Sequence, residues 1–175
     1  PAQVVTSTRT ITASAPMSGP YALGATGDAF FYGQVGRSAP LFVTYAATVW
    51  KSLEAAEQLE QQYHLSAEVI DARSLVPFDY TEVLASVAKT GRLICVSDAN
   101  LRGSWMNNVA AKVSTEAFDD LDGPVVVLGA RNWIAPPAEV EWEFFVTPED
   151  ILDAIHTRVL PLPGHRVQEG PGAEG

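Results

Sequence analysis

Short apolar runs and amphipathic helical stripes alternate through the middle of the chain, and their order predicts four β-α units. LFVTYA, from Leu41 to Ala46, is rich in β formers and is followed at once by a helical stretch. There Val49, Leu53, Ala56, Leu59 and Tyr63 recur at helical spacing, while Lys51, Glu54, Glu57 and Glu60 take the other side, so one face is buried and one is wet. AEVIDA (Ala67 to Ala72) is the second strand, Asp79 a candidate amino-terminal cap, and Val83, Leu84 and Val87 the next stripe. RLICVSD (Arg92 to Asp98) is the third strand; Ser104 is placed to cap a helix with Met106, Val109, Ala110, Val113 and Ala117 on its inner face. PVVVLGA (Pro124 to Ala130) is the fourth strand. Thr147 and Asp150 form a capping pattern with Pro148 at the first helical position, ahead of a stripe of Ile151, Leu152, Ile155 and Val159.

These strands are apolar throughout rather than alternating, which requires cover on both faces. The expected fold is α/β: an open three-layer sandwich with a mostly parallel sheet and right-handed crossovers. The first forty residues, rich in Ser, Thr, Ala, Gly and Pro, show no sustained period and read as a poorly structured or partner-packed arm, residues 1–40. Within it Phe30, Phe31 and Tyr32 are too apolar for a free linker and are expected to pack on the domain or on a partner. The domain proper is expected over residues 41–160, with a flexible tail over residues 161–175.

Composition narrows the picture. The chain has 175 residues, 47% of them apolar, enough for one domain with a real core. Its formal charge is -10, from 21 acids against 11 Lys and Arg, which disfavours nucleic acid and anionic membrane as partners. The lone cysteine, Cys95, permits no intrachain disulfide; no membrane-spanning run or signal peptide is evident, and a cytoplasmic setting is expected.

In open α/β sheets ligands sit beyond the carboxyl ends of the strands, so candidate chemistry belongs on the loops Tyr45 to Thr48, Asp71 to Ser74, Ser97 to Gly103 and Gly129 to Asn132. This rim carries Asp71, Arg73, Asp98, Asn100, Arg102, Arg131 and Asn132, groups that pair or bind anions but include no evident nucleophile with its base. None of the histidines, His64, His156 and His165, falls on the rim, and no two have the spacing of a metal pair. Cys95 lies inside an apolar strand, as a small hydrophobe rather than an activated thiolate. Gly24, Gly27, Gly33 and Gly36 do not lie between a strand and a helix, so no dinucleotide fingerprint is present.

The stretches VTYAATVWKSLEAAEQL, AEVIDARSLVPFDYTEVLASVAKTGRLICVSDA, VAAKVSTEAF, PVVVLGAR and TPEDILDAI together resemble the carboxyl-terminal domain of the transketolase superfamily, in particular that of the beta subunit of thiamine-dependent 2-oxoacid dehydrogenases. The resemblance covers roughly residues 41–155. It implies a setting in which an assembled enzyme decarboxylates a 2-oxoacid on thiamine diphosphate with magnesium and passes the acyl group to a lipoyl acyltransferase. In that setting the cofactor lies between other domains, and the carboxyl-terminal domain builds subunit contacts. The Gly-Asp-Gly pattern that begins the family's diphosphate site is not completed here, since Gly27 and Asp28 are followed by Ala29. No catalytic, cofactor-binding or metal residue is therefore expected on this chain alone.

Two stretches depart from the family's habits: RGSWMNNVA, with Trp105 and Asn107 where small and acidic residues are usual, and RNWIAPPAEVEWEFF after the fourth strand. Trp133, Trp142, Phe144 and Phe145 are either core or an altered interface. The interface or anion-binding rim is accordingly assigned to Asp71, Arg73, Asp98, Arg102, Trp105, Arg131, Asn132 and Trp133. The leading expectation is a non-catalytic assembly and partner-docking domain of an oligomer, with thiamine-binding subunits as partners and a lipoyl acyltransferase as a further one. The alternatives are a small independent α/β enzyme holding an anionic substrate on Asp98, Arg102 and Arg131, or a free-standing binding module or decayed fragment.

Overall fold

The computed structural model describes residues 29–32 and 39–168. Its strands are β1 (Ala29–Tyr32), β2 (Leu41–Thr44), β3 (Glu68–Ala72), β4 (Leu93–Asn100) and β5 (Val126–Ala130). Its helices are α1 (Thr48–Tyr63), α2 (Thr81–Thr90), α3 (Trp105–Glu116) and α4 (Pro148–Ala154), the last continuing into a π-helical turn at Ile155–Val159. The sheet order is β1-β3-β2-β4-β5; β2, β3, β4 and β5 run parallel, and β1 is antiparallel to β3. The expected three-layer α/β architecture is present.

Register explains the layers. Phe42 stands beside Val69 and Ile94, and Ile94 beside Val126, so these side chains share one face and pack with Leu53, Leu59, Ile151 and Ile155 of the α1–α4 layer. Leu41, Val43, Ile70, Leu93 and Cys95 take the opposite face, against Val83 and Val87 of α2 and Met106, Val109 and Val113 of α3. Each fully buried Leu, Ile, Phe or Met contributes about 1.5–3 kcal/mol, which is why both faces need a helical layer. Every apolar position expected in the four stripes lies in these clusters; Tyr63, Leu84, Ala110 and Val159 are the partly buried members.

The helix starts follow local chemistry. The Ser104 hydroxyl accepts the Met106 N–H, and Thr147 with Asp150 forms a full capping box with Pro148 in the first turn. Asp79 accepts the Thr81 N–H at 2.9 Å, capping α2 from just outside it; the Thr81 hydroxyl and N–H hold its carboxyl below the usual range. A charged clamp not expected from sequence ties β3 to α2: buried Glu68 accepts from Ser86 Oγ at 2.5 Å and pairs with Lys89 at 2.7 Å.

At the chain ends the structure adds detail. Phe30, Phe31 and Tyr32 belong to β1, whose backbone pairs with β3 in the register Phe30↔Asp71 and Phe31↔Ile70. A four-residue strand is too short to show a period, so only its neighbour reveals it. Leu162 is buried in the α1–α4 core although the expected domain boundary lay at residue 160, so packing continues past that boundary. Residues 1–28 and 33–38 of the arm, and residues 169–175, lie outside the described residues. No helix among the described residues is long and apolar enough to cross a membrane.

Gly91 ends α2 with φ +73°, and an added Cβ there would collide with the Asp122 carboxylate; the Asp122 N–H also donates to Gly91 O at 2.7 Å. Gly91→Ala is expected to destabilise the fold by about 1–2 kcal/mol in urea denaturation. A variant as stable as the parent would refute the requirement for a left-handed residue here.

Candidate functional site

The loops at the carboxyl ends of β2, β3, β4 and β5 form one rim, but its side chains fall into separate groups. At the β3 end Asp71 is buried and pairs with the half-exposed Arg73 at 3.6 Å. Burial pushes the Asp71 carboxyl above its ordinary range, and the Arg73 guanidinium pulls it part of the way back. Near the end of β4, Asp98 pairs with Lys51 of α1 at 3.6 Å, and Lys51 Nζ also stands 5.5 Å from the Phe145 ring centre. Lys51 had been placed only on the wet face of its helix. Its pairing depends on β2 and β4 being sheet neighbours, which no local pattern announces.

The largest group lies between β4 and β5. A register shift between Val96 and Asn100 carries the end of β4 toward the β5 loop. Asn100 Nδ2 donates to the carbonyls of Arg131 (2.7 Å) and Trp133 (3.0 Å), and Asn132 Oδ1 accepts the Arg102 N–H at 2.8 Å. Arg131 donates from its backbone N–H to Phe144 O at 3.2 Å and from Nε to Glu143 O at 2.7 Å. Its guanidinium lies 5.2 Å over the Trp133 ring. Asn100, Arg131 and Asn132 thus tie the loop after β5 to β4 and to the segment before α4.

Trp105 and Trp133 play different parts. Trp105 turns inward, edge-to-face on Phe78 at 5.0 Å and on Tyr45 at 6.3 Å, and Phe78 in turn meets Tyr80 at 4.8 Å. Asn107 Nδ2 donates to Leu101 O, tying α3 to the loop before it. Trp133 stays 52% exposed and the adjoining Ile134 94%, so together they give the β5 loop an outward apolar tip. Of the other aromatic residues in that departure, Phe144 is buried and Phe145 half-buried, 5.0 Å apart; the Trp142 side chain lies outside the described positions.

The rim hydroxyls are structural links. Thr44 Oγ1 donates to Thr48 Oγ1, which donates to Tyr45 O at 2.7 Å, and Ser97 and Ser104 hydroxyls meet at 3.0 Å. They close the β2–α1 and β4–α3 turns; Ser104 was expected as a helix cap, whereas the contacts of Thr44, Thr48 and Ser97 were not anticipated because isolated Ser and Thr carry no distinctive spacing. Cys95 is fully buried and its thiol is pushed far up by desolvation. His64 caps α1 in a left-handed conformation, and His156 and His165 meet on the α1–α4 side, away from the rim.

Comparison with known proteins bears on this architecture. The family model for the transketolase C-terminal domain matches residues 36–151. The pyruvate dehydrogenase E1 component subunit beta of Bacillus subtilis (strain 168) is 36% identical over 111 residues, 63% of this chain and 34% of that protein. The 3-methyl-2-oxobutanoate dehydrogenase subunit beta of Mycobacterium tuberculosis (strain H37Rv) is 35% identical over 121 residues, 69% of this chain and 34% of that protein. A solved split-gene transketolase, an inactive beta4 tetramer, matches with a TM-score of 0.59 and 26% identity over 71% of this chain and 39% of that one. The chain spans about a third of the length of the curated relatives it matches.

Two outcomes follow from the rim. The raised Asp71 carboxyl means that the folded state binds more protons than the unfolded one just above the ordinary aspartate range. Stability is therefore lost as pH rises through that window, and the cost persists at neutral pH. Asp71→Asn should raise the melting temperature at neutral pH, with the gain closing in acid; a less stable variant at neutral pH would show that the Arg73 pair outweighs desolvation. Asn100→Ala should lose about 1–2 kcal/mol of protection at the Arg131 amide in hydrogen exchange, since two carbonyl contacts that shape its loop are removed. Unchanged protection would mean that the loop holds itself.

Proposed function

The chain belongs to the transketolase C-terminal domain family, and from that premise we propose that it is a non-catalytic assembly and partner-docking domain of a thiamine-diphosphate-dependent 2-oxoacid dehydrogenase, akin to the carboxyl-terminal part of the E1 beta subunit. The observation that carries the reading is the loop after β5. Its polar groups build the loop itself, through Asn100, Asn132 and Arg131, and this leaves Trp133 and Ile134 facing outward on a braced support. A braced aromatic and aliphatic tip loses little freedom on binding, which suits docking.

The cofactor implied for the assembled enzyme is a diphosphate with its magnesium ion. A magnesium diphosphate takes clustered oxygen donors, and the described residues include no group of three or more His, Cys, Asp or Glu arranged to hold a metal ion. Around the β5 loop the Asn100 and Asn132 amides and the Arg131 guanidinium are engaged with backbone groups. In this reading thiamine diphosphate and magnesium belong to the assembled enzyme, with thiamine-binding subunits as the first partners and a lipoyl acyltransferase as a further one. The names of the two curated relatives, both beta subunits of 2-oxoacid dehydrogenases, support this setting.

The test is to mix the purified chain with thiamine-binding E1 subunits from the same source, then follow mass by light scattering and 2-oxoacid decarboxylation by substrate loss. A heteromer with increased decarboxylation is expected, and Trp133→Asp should weaken its assembly by about tenfold or more while the fold persists. A chain that stays apart without affecting decarboxylation, or one that turns over an anionic substrate alone through Asp98, Arg102 and Arg131, would overturn the proposal.

A further inference from the structure

After the π-helical turn the chain runs back over the ends of α1 and α4. Leu160 N–H closes the turn on Ile155 O at 2.9 Å, and Leu162 drops into the apolar cluster of Leu59, Leu152 and Ile155. Leu162, Pro163, Gly164 and His165 then form a tight turn, with the His165 N–H on Leu162 O at 3.1 Å. Proline at the second position and Gly164 at φ +80° at the third are the signature of a type II turn. This turn delivers His165 to the helix layer.

Two imidazoles hold the returning segment, and they differ in what a proton does to them. His165 Nε2 lies 2.6 Å from Asp153 Oδ1 and its Nδ1 lies 3.0 Å from the Tyr63 hydroxyl. A carboxylate only accepts, so Nε2 carries the hydrogen and Nδ1 accepts from Tyr63. If His165 becomes protonated, Nδ1 donates to the Tyr63 oxygen instead, and both contacts survive. His156 has no such alternative. Its Nδ1 accepts the Leu162 N–H at 2.9 Å, and a proton on that nitrogen abolishes the acceptor and sets two donors against each other. It also places positive charge on a ring centred 5.3 Å from that of His165.

Titratable or charged groups on the elements packed here include Asp153 on α4, Glu60, Tyr63 and His64 at the end of α1, Arg158 in the π turn and Arg166 next to His165 in sequence. Arg92, at the foot of β4, donates from Nη1 to Val159 O. Asp153 already serves His165 and accepts the Gln168 N–H with its second oxygen, so each of its oxygens is already engaged. Histidine is the side chain whose ordinary titration falls between about pH 5 and 8.

We propose that His156 and His165 form an acid-sensitive latch: protonation of His156 releases the Leu160–Gln168 segment and lifts Leu162 from its seat, while Asp153 and Tyr63 continue to hold His165 in the closed form. Release uncovers apolar surface where α1 and α4 meet, on the α1–α4 side rather than at the rim, so the latch is independent of the docking proposed for Trp133.

The test is amide hydrogen exchange at Leu162 in the full chain, corrected for the intrinsic effect of pH. Between about pH 7.5 and 5.5 the protection factor should fall by about tenfold or more in the parent. In His156→Asn, whose Oδ1 takes the place of Nδ1 as an acceptor without titrating, it should fall by less than about twofold. Unchanged protection in the parent, or an equal fall in the variant, would overturn the latch. Nitrogen chemical shifts of the His156 ring in the parent give a second measure that needs no substitution. Their titration midpoint should coincide with the loss of Leu162 protection, and separate midpoints would likewise overturn it.

Discussion

Strands β2, β3 and β4 bury side chains on both faces, and a parallel sheet of that kind persists only if each face carries a helical layer. Phe42, Val69 and Ile94 require α1 and α4; Leu41, Ile70 and Cys95 require α2 and α3. Once both layers are in place, helices cover the faces and the crossovers cover the sides, so irregular backbone is concentrated at the strand ends. The candidate rim is thus a consequence of double-sided burial.

The same constraint explains why so much polar chemistry at the rim goes into construction. Loops leaving a buried strand carry backbone groups that need partners, and the nearest side chains supply them. Asn100 satisfies two carbonyls of the β5 loop, Arg131 reaches Glu143 O, and the Thr44–Thr48 and Ser97–Ser104 contacts close two turns. Asp71 stands apart because it is buried with its charge only partly compensated by Arg73. Near the opposite end of α1 the polar groups join helices to the returning chain, with His165 bridging Tyr63 and Asp153.

Family membership and the departures from it meet in the β5 loop. The match over residues 36–151 spans the parallel strands β2 to β5, helices α1 to α3 and the start of α4. The loop's own stretch, RNWIAPPAEVEWEFF, places Phe144 in the core and leaves Trp133 and Ile134 outside, so one run of apolar residues divides between packing and surface. The tryptophan in the other departure, Trp105, resolved the other way, into an aromatic cluster with Phe78 and Tyr45.

Much of the fold was legible in the sequence because period and capping are local. The stripes through Leu59, Val87, Val113 and Ile151, the Ser104 cap and the Thr147–Asp150 box are all set within a few residues, and the uniformly apolar strands called for cover on both sides. The four-residue β1, the π turn and the seat of Leu162 carry no comparable local signal. At the rim, sequence identified the strand ends and their polar residues but placed them in one group. The Asp71–Arg73 pair is local, two residues apart at the end of β3, whereas the tertiary structure decided that Asp98 would pair with Lys51, and Asn100 with the carbonyls of Arg131 and Trp133. Strand order and register set the longer-range meetings of Asp98 and Asn100, as helix packing sets that of Tyr63 with His165: residues far apart in the chain become neighbours only when the sheet and its two layers assemble.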